Sequence, residues 1–284
     1  MQNNLYNILV PVDFTQKDKW ATAKAIELAN ALHCNIHLVH VVSKNIFPLL
    51  TVEAAHFYPY DYTADLKNAQ DRLHEMKEAY SQHLCGKGQI EISVLHGNEQ
   101  EELAKYARLY QMDMFVKGLS KFNLLHRIIS TVSISNLAKK TFIPVLAVRA
   151  SGLVSHFKKI VLPLHDDHVP MRRIRLAAML GRYFKSTIFV VSLRKENNEP
   201  GVPILSQTME VIQSLTTIPV QSIILEGKNL ATTTLNFSKK INADLIMINN
   251  KHEYYLPGLW NRVTKRLLSY NSSIPVITLE KEYE

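Results

Sequence analysis

Two things this chain has little of bound what it can be: cysteine and long apolar runs. Only Cys34 and Cys85 occur in 284 residues, and both lie in the first half. That argues against a disulfide framework and suits a reducing compartment. No apolar run approaches the roughly 18 residues needed to cross a bilayer. The opening Met1-Gln2-Asn3-Asn4 has neither a basic stretch nor a long apolar one, so it does not read as a signal peptide. The expected location is the cytoplasm, with no membrane span. Charge is not scarce but it is uneven. The net charge of +8 divides into 16 basic and 14 acidic side chains over residues 1–150, against 17 and 11 over residues 151–284. Arg172, Arg173 and Arg175 form the densest basic cluster. No interleaved aromatics or reader motif accompany it, so it is read as a solvated helix face and no nucleic acid is expected as a partner. Apolar content of 46% and charged content of 20% are those of an ordinary globular protein.

What is there is said twice. Asn7-Ile8-Leu9-Val10-Pro11-Val12-Asp13 is answered by Lys159-Ile160-Val161-Leu162-Pro163-Leu164-His165. Asn35-Ile36-His37-Leu38-Val39-His40-Val41 is answered by Thr187-Ile188-Phe189-Val190-Val191-Ser192-Leu193, again 152 residues on. The echo resumes at Gly97 and Gly227, Asp113 and Asp244, and Pro144-Val145 and Pro275-Val276, now 130 or 131 residues apart. A repeat this long predicts two homologous domains, residues 1–150 and 151–284, joined near residues 150–157.

Each copy alternates strand and helix. In the first, strands are predicted over Asn7–Val12, Ile36–Val42, Gln89–Leu95, Met114–Gly118 and Pro144–Val148. Helical periodicity covers Asp18–His33, Asp61–Leu84, a segment capped by Asn98 that runs to Tyr110, and Ile128–Lys140. The second copy predicts strands at Lys159–Leu164, Thr187–Leu193, Val220–Leu225, Leu245–Ile248 and Pro275–Leu279. Its helices are expected over Pro170–Phe184, Ile204–Leu215, Leu230–Ile241 and Leu259–Ser269. Such alternation implies an α/β fold: two doubly wound domains, each a parallel sheet with helices on both faces. Ligands of these sheets bind beyond the carboxyl ends of the strands, where the strand order reverses. That singles out Asp13, Ser43 and the segment from Lys117, with His165, Arg194 and Asn249 as their counterparts.

The sequence at this point resembles the universal stress protein family in its tandem form. The resemblance is carried by the opening Asn7–Asp13, the second strand ending Val39-His40-Val41, the segment Asp113-Met114-Phe115-Val116-Lys117-Gly118 and the closing Ile143-Pro144-Val145-Leu146-Ala147-Val148. It implies five parallel strands per domain in the order 3-2-1-4-5, a Rossmann-like sheet related to the adenine nucleotide alpha hydrolases. It also implies pairing through the last strand, within one chain or in a homodimer. Some members bind ATP. In those, the Asp closing strand one and a Val closing strand two hold the adenosine, and a Gly-2x-Gly-9x-Gly-Ser/Thr loop wraps the phosphates. Glycines let backbone N–H groups approach phosphate oxygens, and the closing hydroxyl residue opens a helix whose N-terminus favours an anion. Carried over, domain 1 keeps Pro11, Asp13, Val41 and Gly118. Lys121 stands at the second glycine, and Ser130-Thr131 closes the loop one residue early. Lys117 and Lys121 add positive charge that can compensate for lost amide contacts, or that simply lies on the surface. ATP is the cofactor this resemblance implies for domain 1. Domain 2 has His165, Asn249 and His252 where the family has its Asp and first two glycines, with Asn261-Arg262 near the closing pair, and a wrapped triphosphate is not expected there.

Other constellations are read conservatively. His165-Asp166-Asp167-His168 is adjacent in sequence, fits a helix cap and acidic first turn, and is not expected to hold a metal. Asp13 is a ligand acceptor or a helix cap. With no second carboxylate evident at its depth, general acid–base catalysis is not expected. Cys34 is expected to be a buried structural thiol and His40 a satisfied core histidine. Ser130 and Thr131 lack nucleophile-elbow glycines. The Ser43–Tyr60 segment, with Phe47, Phe57, Tyr58 and Tyr60, is a lid or interface element. The function expected is a stress-response module that is no enzyme beyond weak ATP hydrolysis. Its alternatives are an ATP-binding switch and a scaffold for an unidentified protein partner.

Overall fold

The computed structural model describes residues 6–42, 62–119, 134, 136–150, 156–164, 169–194, 202–227, 230–250 and 272–280. Lys121, Ser130, Thr131, the Ser43–Tyr60 segment, His165–His168, His252, Asn261-Arg262 and the helix expected over Leu259–Ser269 lie outside those residues.

The apolar runs become strands and the periodic segments helices. Domain 1 contains β1 (Asn7–Val12), α1 (Gln16–Leu32), β2 (Asn35–Val42), α2 (Tyr62–Ser81), β3 (Ile90–His96), α3 (Glu99–Leu109), β4 (Met114–Gly118) and β5 (Val145–Val148). Residues 136–141 are helical before β5. Domain 2 contains β6 (Lys159–Pro163), α4 (Met171–Phe184), β7 (Thr187–Arg194), α5 (Val202–Leu215), β8 (Val220–Glu226), α6 (Leu230–Lys240), β9 (Leu245–Asn250) and β10 (Val276–Glu280).

The strands join into one ten-stranded sheet, ordered β3-β2-β1-β4-β5-β10-β9-β6-β7-β8. Each half has the order 3-2-1-4-5, and within each half every pairing is parallel. The halves meet at β5 and β10, which run antiparallel with Ala147 opposite Val276 and Val145 opposite Thr278. The two domains of one chain thus pair through their last strands.

Strand periodicity explains the layering. Ile8, Val10 and Val12 point into one core while Leu9 points into another, as strands buried on both faces require. The first core is shared: β1, β2, β4 and β5 contribute with β6, β7, β9 and β10, under α1, α2, α4 and α5. The opposite face carries one smaller core per domain, under α3, Ile134, Leu137 and Ala138 in domain 1 and under α6 in domain 2. The shared core is sealed where the linker enters β6. Phe157 is fully buried, with its ring edge-on to Phe184 at 5.3 Å. Lys24 of α1 places its ammonium 5.1 Å over that ring and 2.6 Å from the Glu27 carboxylate.

Helix ends follow local chemistry. Asn98 accepts from the Gln100 and Glu101 amides, with Glu99, Glu101 and Glu102 in the first turn. Helix α1 begins two residues earlier than its periodicity suggests, because Thr15 is its cap and Asp18 reaches back to the Thr15 amide. The helix expected over Asp61–Leu84 stops at Ser81, and Gly86 beyond it takes a φ of 129°.

Candidate functional site

The two repeated prolines prepare the crevice. Pro11 brings no N–H to the ladder, and the recorded pairing of β1 with β4 ends at Leu9 opposite Phe115. Strand β4 continues to Gly118 beside β5. β1 and β4 therefore part at their carboxyl ends, which is the switch point of the sheet. Pro163 repeats the pattern in domain 2, where pairing of β6 with β9 ends at Val161 opposite Ile246.

Asp13 stands just past β1 with its side chain 45% exposed, and both its oxygens are occupied. Oδ1 accepts from the Thr15 amide at 3.2 Å and from the Thr15 hydroxyl at 2.5 Å. Oδ2 is ion-paired with Lys17 on the first turn of α1. Partial burial pushes the Asp13 carboxyl up, but the bonds from Lys17 and Thr15 outweigh it and hold the group below its ordinary value.

A second carboxylate lies directly behind, contrary to the expectation of none. Asp18 is 3% exposed, and its Oδ2 accepts the amides of Asp13 at 2.7 Å and Thr15 at 3.1 Å. Burial, and then the neighbouring Asp13 charge, push the Asp18 carboxyl up to about 7, against the pull of those two amides. The Thr15-x-x-Asp18 spacing is a capping-box signature that could have revealed it. Its burial under the turn keeps Asp18 from touching a bound molecule, so its role is to hold the Asp13 backbone.

The remaining predicted residues divide. Pro11 is buried and Val41 half-buried, packed with Leu95 and Ile143 on the second core of domain 1. Gly118 lies at the crevice for a reason other than a phosphate: an added Cβ would sit 2.0 Å from the Lys17 carbonyl oxygen. Its glycine permits β4 to touch the backbone of α1. Lys117 turns to the other face, 3.2 Å from Glu99, with 13% of its side chain exposed. That geometry sets it towards the start of α3. His40 is satisfied, donating from Nδ1 to the Val12 carbonyl at 2.7 Å. It is half-buried at the strand end, however, and packs 4.6 Å from Phe14, over which Arg72 lies at 4.0 Å. The histidine inside the core is His37, bonded to Tyr106. Cys34 is buried, as expected, and burial followed by the Asp113 charge pushes its thiol up to about 12.

At the corresponding strand ends of domain 2 the chain places a charge of its own. Arg173 was expected on a solvated face, yet it is 3% exposed. Its guanidinium donates to the carbonyls of Pro163 at 2.8 Å and Met247 at 3.3 Å. Helices α1 and α4 share a register counted from their C-terminal ends, since His33 and Lys185 are both left-handed C-caps 152 positions apart. In that register Ala21 occupies the place of Arg173. The basic cluster is thus split: Arg175 is exposed, Arg173 is buried, and Arg172 donates to the Phe142 carbonyl across the domain boundary. Among the described residues no group of three His, Cys, Asp or Glu side chains could hold a metal ion, and no helix is long and apolar enough to cross a membrane.

Residues 5–149 match the model of the universal stress protein family. A search of curated proteins finds no match. Among solved structures, the chain is similar over 98% of both lengths to a universal stress protein from Archaeoglobus fulgidus, with a TM-score of 0.75 and 14% identity. A putative universal stress protein from Pseudomonas aeruginosa is similar over 98% of this chain and 94% of its own, with a TM-score of 0.56 and 15% identity. The cytoplasmic domain of a prokaryotic cation chloride cotransporter matches over 97% and 96%, with a TM-score of 0.55 and 11% identity. At these identities the likenesses speak to the fold. With the matched family model covering over half the chain and the doubled sheet running its full length, the protein belongs to the universal stress protein family, in its tandem two-domain form.

Proposed function

We propose that the protein is a cytoplasmic stress-response module that binds an adenine nucleotide, with ATP the first to test, at the strand ends of domain 1 only, and has no strong catalytic activity. One observation carries this reading: in domain 2 the buried Arg173 places a guanidinium on the Pro163 and Met247 carbonyls, whereas the equivalent position in domain 1 is Ala21, which brings no charge to the strand ends. The family resemblance implies Asp13 and Val41 as adenosine-holding positions, and both stand at the carboxyl ends of their strands in domain 1, Asp13 just past β1 and Val41 near the end of β2. On the phosphate side the support is thinner. Gly118 is committed to packing and Lys117 to Glu99, which favours weak binding over a tightly wrapped triphosphate. The reading without strong catalysis rests on Asp18 being sealed beneath the turn and Lys117 being turned away. The test is a thermal shift with Mg-ATP beside a phosphate-release assay. A saturable rise in Tm, absent in Asp13→Ala, with phosphate release at the level of that variant, is expected. No shift at millimolar nucleotide overturns the binding reading, and Asp13-dependent turnover overturns the non-catalytic one.

A scaffold role is the second reading, and one observation favours it. Asp13 is already satisfied within its own chain, by Thr15 and Lys17. A scaffold predicts no saturable nucleotide binding and a specific protein partner for the paired domains, as a monomer or a homodimer.

A further inference from the structure

The Asp13–Lys17 pair, resting on the nucleotide reading of domain 1, bears on which ligands that site accepts. We propose that Lys17 is a specificity-determining residue: it competes with the ligand for Asp13 and gives way only to a ligand that brings its own phosphate.

The geometry of the pair supplies the argument. Oδ1 of Asp13 is taken twice by Thr15, so Oδ2 is the oxygen with room for a ligand hydroxyl or amine, and Lys17 already lies against it. Lys17 cannot drift from this position by moving its backbone. Its carbonyl lies so close to Gly118 that even a methyl group would not fit between them. Its side chain is only 22% exposed, so an ammonium expelled from Asp13 is not fully repaid by water. It also sits on the first turn of a helix, where the dipole disfavours a cation. An uncharged nucleoside that crowds Lys17 off Asp13 therefore leaves a half-buried, badly placed ammonium behind.

A phosphate changes this balance. The start of α1 and the end of β4 are in contact through Lys17 and Gly118, so a ligand phosphate beside the end of β4 would lie within the sweep of the Lys17 side chain. The ammonium exchanges one anionic partner for another, and Asp13 is released to accept from the sugar or base. Binding of the charged end and of the neutral end of the ligand are thereby coupled through one side chain, and selectivity for phosphorylated over free nucleoside follows. A lysine paired only for structure produces no such coupling.

The test uses the full chain, wild type and Lys17→Met, with adenosine, ADP and Mg-ATP as probes in calorimetry. Wild type is expected to prefer ATP to adenosine steeply. In Lys17→Met, adenosine should tighten and ATP weaken, each by about tenfold, the ratio that corresponds to 1.4 kcal/mol, so the preference collapses. An ATP-to-adenosine ratio unchanged by the substitution overturns the role of Lys17 while leaving the nucleotide site standing. Failure of every probe to bind either protein overturns the nucleotide reading and this proposal with it. A ligand-free control is the carboxyl titration of Asp13 by NMR. Its midpoint should rise in Lys17→Met, and an unchanged midpoint means the pair does not form in solution and refutes the proposal by itself.

Discussion

Gly118→Ala separates a packing glycine from a phosphate-binding one. The new methyl carbon would stand 2.0 Å from the Lys17 carbonyl oxygen, 2.6 Å from its carbonyl carbon and 2.9 Å from its Cβ. Carbon–oxygen contacts of this kind ordinarily begin near about 3.3 Å, so β4 and α1 must separate by roughly 1 Å. The oxygen of the worst contact belongs to the backbone of the first turn of the helix, and the methyl carbon is fixed directly to the strand backbone, so neither can rotate away. Overpacking a well-filled site costs about 1–3 kcal/mol, and a backbone clash between two core elements belongs at the upper end. For a chain of this size about 3 kcal/mol lowers Tm by roughly 6–12 °C. The assay is calorimetric melting of the ligand-free protein, supported by urea denaturation. A variant within about 0.5 kcal/mol of wild type would refute the packing account. If Gly118 served only a phosphate, the ligand-free protein would be unchanged and only nucleotide affinity would fall.

Three further outcomes are expected. Arg173→Ala withdraws the donor from the Pro163 and Met247 carbonyls; a loss of about 1–3 kcal/mol in urea denaturation is expected, with domain 1 nucleotide affinity unchanged. The folded-state carboxyl of Asp18 is raised, so its contribution is fully present below its ordinary value of 3.8 and is lost as pH rises towards about 7. Wild type should therefore lose stability relative to Asp18→Asn across that window, measured as the urea midpoint at successive pH values; a constant difference refutes the shift. Lys24 is wholly buried against Glu27, so Glu27→Gln, which takes away the carboxylate charge facing that buried ammonium, should destabilise by about 1–3 kcal/mol, whereas Lys24→Met should be near neutral. Equal losses in the two variants would show that the pair is not asymmetric in this way.

Much of the architecture was legible because burial on both faces leaves a strong trace. Val10-Pro11-Val12 and Leu162-Pro163-Leu164 mark the same strand end twice, and the alternating segments place every strand within a residue or two. The seam at β5 and β10 is not readable from those residues; the family resemblance implies pairing through the last strand, and the antiparallel direction comes from the structure. The candidate site was less legible, since a sequence gives the identity of a side chain but not its direction. Gly118 suits a phosphate loop and a tight strand–helix contact equally well until the Lys17 carbonyl is seen beside it. Lys117 looks like a spare cation until strand alternation turns it towards Glu99. Arg173 sits in a run of arginines that resembles a surface, and only the opening left by Pro163 explains its burial. Asp18 stands where the helical periodicity begins and so reads as an ordinary first-turn acid, although Thr15 three residues before it marks the cap.

The most direct test of the central claim, one retained site and one self-filled one, is the stoichiometry of Mg-ATP binding to the full chain by calorimetry. The account predicts a single nucleotide per chain, abolished by Asp13→Ala and untouched by Arg173→Ala. Two nucleotides per chain, or one that survives Asp13→Ala, would contradict it.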